Sequence, residues 1–165
     1  MTHSSPAGSP TEPTTGVIIV DHGSRRKESN EMLLTAAAAF KATSGYTVVE
    51  PAHMEIAEPT IADAFEACVA QGAQRVIVFP YFLSPGKHWK HDIPALVDAA
   101  AARHPGTEWL VTAPFGLHPQ MQQIIADRIQ HCLAAATEAG PTSCDVCGDG
   151  QGCRLRASAA DMPDA

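Results

Sequence analysis

The apolar positions of the chain fall into four short runs separated by longer, mixed stretches. Gly16-Val-Ile-Ile-Val20 is continuous and apolar, as expected of a strand covered on both faces. The polar stretch Asp21-His-Gly-Ser-Arg-Arg-Lys27 follows it. Ser29 or Asn30 is placed to cap a helix that runs to about Ser44 and stops at Gly45. A second strand lies within Tyr46 to Ile56, where Pro51 argues for a bend or a sheet edge. Pro59 suits the first turn of a helix ending near Gly72. Arg75 to Phe82 holds a third strand centred on Val76-Ile-Val-Phe79. The loop Ser84 to His91 leads into a helix reaching about His104. Pro105-Gly106 marks a turn, and Glu108 to Ala113 a fourth strand. A last helix spans about Pro119 to Ala136, with Met121, Ile124, Ile125, Ile129, Cys132 and Leu133 on one stripe.

Strands alternating with helices predict parallel strands joined by right-handed crossovers. The fold class is therefore α/β, a four-stranded parallel sheet flanked by helices. Such sheets bind ligands beyond the carboxyl ends of their strands, so chemistry is sought immediately after each strand. Residues 1–15, rich in Ser, Thr, Pro and Gly, read as a disordered tail. Residues 16–138 form the folded domain, and 139–165 a polar, cysteine-rich tail.

The net charge of −7 argues against a general nucleic-acid binder, which needs a basic face. No run of about 18 apolar residues is present to span a membrane. The first fifteen residues contain no Arg, no Lys and no apolar run, so they resemble neither a secretory signal nor a transit peptide. A cytoplasmic location is expected. There a cysteine cluster means metal or redox chemistry more often than disulfides. Positive charge is concentrated: Arg25, Arg26, Lys27, Lys87 and Lys90 are five of the eleven Lys and Arg. Two such loops in an acidic protein suit an anionic ligand, although solvated surface charge is the ordinary alternative.

Three strand ends carry candidate donors. His22 follows the first strand, Glu55 ends the second, and His88 lies in the loop after the third. Two imidazoles and a carboxylate suit a divalent first-row metal at moderate affinity, as a site that delivers its ion requires. Each also has an ordinary reading, as a solvated loop histidine or a surface carboxylate.

Val20-Asp-His-Gly-Ser-Arg25, Met54-Glu-Ile-Ala-Glu-Pro-Thr-Ile61, and Phe79-Pro-Tyr-Phe-Leu-Ser-Pro-Gly-Lys-His88 with Asp92-Ile-Pro94 occur in that order. Together they resemble the sirohydrochlorin chelatase family, of the small single-domain CbiX/SirB type, from about Gly16 to Ala136. The resemblance implies a chelatase-like half unit that inserts Fe2+ or Co2+ into sirohydrochlorin, for siroheme or cobalamin. It implies that His22 and His88 hold the metal, with Glu55 as a third ligand or a base. Arg25, Arg26, Lys27, Lys87 and Lys90 would then pair with the carboxylates of the macrocycle, and Trp89 or Phe115 would offer it flat apolar surface. Larger relatives resemble two copies of this unit, so a homodimer is implied. A nickel-inserting relative and a non-catalytic metal or tetrapyrrole carrier remain alternatives. A histidine phosphatase is disfavoured because Asp21, not Arg, precedes His22.

Cys144-Asp-Val-Cys147 and Cys153 form C-x2-C-x5-C with glycines between. Plant-type members of the family carry a cysteine-rich C-terminal segment that binds a [2Fe–2S] cluster, and this tail is similar to it. Clusters are usually held by four cysteines, so a fourth ligand is missing here. Zinc binding and plain thiols are the alternatives. Cys68 and Cys132, on apolar helix positions, read as core.

Overall fold

The structure is a computed structural model of the chain and describes residues 12–136 and 144–147. It divides into two compact units, Met1–Gly116 and Leu117–Ala165. The first holds β1 (Thr15–Asp21), α1 (Lys27–Ser44), β2 (Val48–His53), α2 (Ile61–Ala70), β3 (Arg75–Pro80), a π-helical turn (His88–Asp92), α3 (Ile93–Ala101) and β4 (Glu108–Val111). The second holds α4 (Gln120–Ala135).

The four strands are all parallel, in the order β2-β1-β3-β4. Central β1 is paired on both sides and its Val17 to Val20 are buried. Alternate residues of a strand point to opposite faces, and the two faces are covered separately. Ile18, Val20, Val76 and Val78 pack with α2 and α3 through Phe65, Cys68, Ile93 and Val97. Val17, Ile19 and Val49 pack with Leu33 and Ala37 of α1. Pro51 lies on edge strand β2, where one side of the ladder needs no partner and a missing N–H is tolerated.

Several expected boundaries move for local reasons. Helix α1 begins at Lys27, ahead of both expected caps, and its N-cap Arg26 makes no side-chain cap bond. Asn30 instead grips the preceding loop: its Oδ1 accepts the Ser24 N–H at 2.9 Å and its Nδ2 donates to the Ser24 carbonyl at 2.9 Å. Pro59 lies outside α2, because Thr60 forms a reciprocal capping box with Asp63 and so starts the helix. His88 to His91, expected in a loop, already belong to the π-helical turn that opens α3. Gly45 does end α1, in the left-handed region with φ 81°.

Cys68 is buried, as expected. Cys132 is exposed instead of core. Helix α4 has no buried residue, and Ile124, Ile125, Ile129 and Leu133 of its stripe are each about half exposed. Within the second unit the two terminal guanidinium nitrogens of Arg128, Nη1 and Nη2, donate to the Asp145 carboxylate, tying Cys144-Asp-Val-Cys147 to α4. Among the described residues no helix is long and apolar enough to cross a membrane.

Candidate metal centre

The donors converge because strand pairing continues past the strands. Beyond the last β1–β2 pair, Asp21 with His53, the Met54 N–H donates to the Asp21 carbonyl at 2.8 Å and the Glu55 N–H to the His22 carbonyl at 3.1 Å. His22 and Glu55 are thereby set side by side on adjacent segments. The crossing is so close that only glycine fits at position 23. Its φ is +84°, and an added Cβ would lie 2.0 Å from the Glu55 carbonyl oxygen. Directly after Glu55 the chain makes a γ-turn, with the Ala57 N–H on the Glu55 carbonyl at 2.8 Å and Ile56 at φ +72°. A β-branched residue in that region is strained, and such strain collects where surrounding contacts impose it at functional sites.

His88 arrives from the other side of β1. It opens the π-helical turn, a rare form frequent at functional sites. Trp89 anchors the turn by donating its indole N–H to the Thr112 carbonyl at 2.8 Å. One turn further on, Asp92 Oδ2 lies 2.8 Å from His88 Nδ1. That bond engages Nδ1 and leaves Nε2 available to a ligand, the arrangement in which a carboxylate fixes the tautomer of an imidazole that can bind a metal.

One donor atom from each of His22, Glu55 and His88 lies within 4.8 Å of the other two, and among the described residues this is the one group with such spacing. His22 Nε2 is 2.9 Å from Glu55 Oε1, and the two imidazole centroids are 5.2 Å apart, edge to face. An ion bound at about 2.1 Å from each ligand spaces its donors by roughly 3 to 3.5 Å. A small side-chain rotation therefore closes the set on one ion. The three side chains are 42%, 53% and 45% exposed, so the centre opens to solvent and can both load and release. It supplies no thiolate, which suits a site that passes its ion on.

A family model described as CbiX matches residues 16–132. The chain belongs to the CbiX family. It is 53% identical over 140 residues to the chloroplastic sirohydrochlorin ferrochelatase of Arabidopsis thaliana, which covers 85% of this chain and 62% of that protein. It is 34% identical over 116 residues to a sirohydrochlorin cobaltochelatase of Priestia megaterium, covering 69% of this chain and 37% of that protein. The chain thus spans less than two thirds of these relatives. Among solved structures, SirB from Bacillus subtilis with Fe3+ matches with a TM-score of 0.67 at 32% identity, over 71% of this chain and 46% of that one. A CbiX protein from Marinobacter aquaeolei matches with a TM-score of 0.62 at 27% identity, over 72% of this chain and 97% of that one.

In this CbiX-family chain Arg25, Arg26, Lys27, Lys87 and Lys90 are all exposed on the segments that carry His22 and His88. Lys27 pairs with Glu31 at 3.3 Å; among the described residues the other four are in no ion pair. Phe115 packs edge to face against Phe79 and Tyr81, with centroids 5.2 and 4.8 Å away, and Trp89 is half-buried and bonded to Thr112. Both aromatics therefore have packing roles.

In the second unit, the backbone N–H groups of Cys147 and Val146 hold the Cys144 thiol below its ordinary value. The Arg128 guanidinium lowers the Asp145 carboxyl to about 2. Cys153 lies outside the described residues.

Sequence reasoning gave Asp92, Asp21 and His53 no role at the centre. Asp92 had a signal, a carboxylate four residues after a candidate ligand at helical spacing. His53 had a fainter one, a lone imidazole inside a strand pattern.

Proposed function

We propose that this chain inserts Fe2+ or Co2+ into sirohydrochlorin. The observation that carries the reading is the convergence of His22, Glu55 and His88, from three strand ends, on a span one ion can bridge. Relatives named for ferrochelatase and for cobaltochelatase activity support both metals. In the reaction the divalent ion enters the ring and two inner N–H protons leave. His22 and His88 hold the ion by Nε2. Glu55 ligates it as well or accepts a departing proton. Arg25, Arg26, Lys87 and Lys90 rim the centre with charge of the sign that peripheral carboxylates need.

A homodimer completes the reading. The chain matches 46% of the SirB chain, as one unit of a two-unit enzyme would. Residues 16–138 are the chelatase domain, between an N-terminal tail and the cysteine-rich segment. We assign Cys144, Cys147 and Cys153 to a [2Fe–2S] cluster, supported by the C-x2-C-x5-C spacing and by a Cys144 thiol disposed to ionise. Its remaining ligand comes from outside these three, and a second copy is one source. Thiols of this kind fit the reducing cytoplasm.

The test is insertion into sirohydrochlorin with Fe2+, Co2+ and Ni2+ in parallel, at substoichiometric protein. Turnover with Fe2+ or Co2+, abolished in folded His22→Ala and His88→Ala, is the expected result. Binding without turnover would make the chain a carrier, and nickel alone would move it to another pathway. Full activity in a triple Cys-to-Ser variant would separate the cluster from insertion, and absence of an iron–sulfur absorption spectrum after anaerobic reconstitution would remove the cluster.

A further inference from the structure

Behind the His22–Glu55 side of the centre lies an imidazole that the donor set does not use. His53 is fully buried, and it is the one buried polar or charged residue among the described residues. Its Nδ1 is 2.6 Å from Asp21 Oδ1, while Nε2 has no hydrogen-bond partner. A buried ring nitrogen without a partner costs free energy that an aliphatic residue would not. Something other than core packing accounts for histidine here.

Its bonds show what it joins. Asp21 immediately precedes His22, and His53 stands two residues before Glu55. The same Asp21 oxygen that meets His53 also accepts the Gly23 N–H at 2.8 Å. One carboxylate oxygen therefore holds both the residue after His22 and the strand that leads to Glu55. The backbone of His53 donates to the Pro59 carbonyl at 2.7 Å, which pins the far limb of the Glu55 turn. With Ile56 strained, that turn needs fixed anchors on both sides.

We infer that Asp21 and His53 form the positioning pair of the metal centre, fixing the His22 segment against the Glu55 segment so that both donors meet one ion without rearrangement. The inference rests on the reading of the three donors as a metal site. Partners behind the ligands of a metal site typically set its affinity 10- to 100-fold.

The experiment compares wild type with His53→Leu, His53→Asn and His53→Gln by Co2+ titration, following the visible absorption of the bound ion, with thermal unfolding alongside. Asn can place an N–H where Nδ1 stood; Gln carries its amide further out, and Leu carries none. His53→Leu is expected to bind Co2+ about 10- to 100-fold more weakly with altered absorption, and His53→Asn to recover most of the loss. If His53→Leu does not fold, His53→Asn against His53→Gln decides, and Asn is expected to bind more tightly. Wild-type affinity and spectrum in folded His53→Leu, or equal weakness of the Asn and Gln variants, would overturn the inference. Co2+ binding indifferent to His22→Ala would instead defeat the metal-site reading itself.

Discussion

Gly23→Ala probes the crossing of the two ligand segments most directly. The added Cβ would stand 2.0 Å from the Glu55 carbonyl oxygen. Real contacts of this kind stay above about 3 Å, so one segment must retreat by roughly 1 Å against close-packed surroundings. Alanine at φ +84° adds backbone strain of about 1–3 kcal/mol. At ~2 kcal/mol, a chain of this size loses roughly 4–8 °C in Tm. The larger effect falls on the centre. The retreat separates His22 from Glu55, which now approach to 2.9 Å, and disturbing what positions metal ligands typically costs about 10- to 100-fold in affinity. Isothermal titration with Co2+ measures the affinity, and a parallel melt measures stability. The expected variant is folded, a few degrees less stable and about 10- to 100-fold weaker for the ion. Affinity within about threefold of wild type, well short of that loss, would show that the approach of these segments does not set the site.

Asp92→Ala removes the partner of His88 Nδ1, 2.8 Å away, and should weaken Co2+ binding by about 10- to 100-fold; an unchanged titration would deny Asp92 a role at the centre. Burial raises the Cys68 thiol to about 12, so native alkylation near pH 8 should label exposed Cys132 and spare Cys68, read by mass spectrometry. Thr60→Ala should lower the urea stability by about 1 kcal/mol through loss of the α2 cap. Part of that loss depends on pH, because the Thr60 hydroxyl, then the Thr60 backbone N–H, hold the Asp63 carboxyl below its ordinary 3.8. A depressed folded-state value contributes stability above the unfolded value and loses it as pH falls through the folded one. The gap between wild type and variant should therefore narrow as the pH is lowered below 3.8, and a constant gap would place Asp63 outside the cap.

Much of this molecule is written in local pattern. The continuous apolar run Val17 to Val20 read as a strand buried on both faces, and Pro51 as a bend or an edge, and β2 does lie at the edge. Strand–helix alternation put the sheet in parallel, and a parallel sheet gathers its loops at one end, so His22, Glu55 and His88 could be named from order along the chain. What pattern could not express is distance between segments remote in sequence. Asp21 and His53 are 32 residues apart and meet at 2.6 Å only because β2 lies in register beside β1. Asn30 was legible as a cap by residue type, but its side chain grips Ser24 instead, a choice made by the path of the loop. Cys132 shares its stripe with apolar residues and reads as core, yet helical periodicity says which face is apolar and not whether anything covers it. Local chemistry chose the elements and the donors; the register of β1 against β2, which no single segment contains, decided how closely those donors approach.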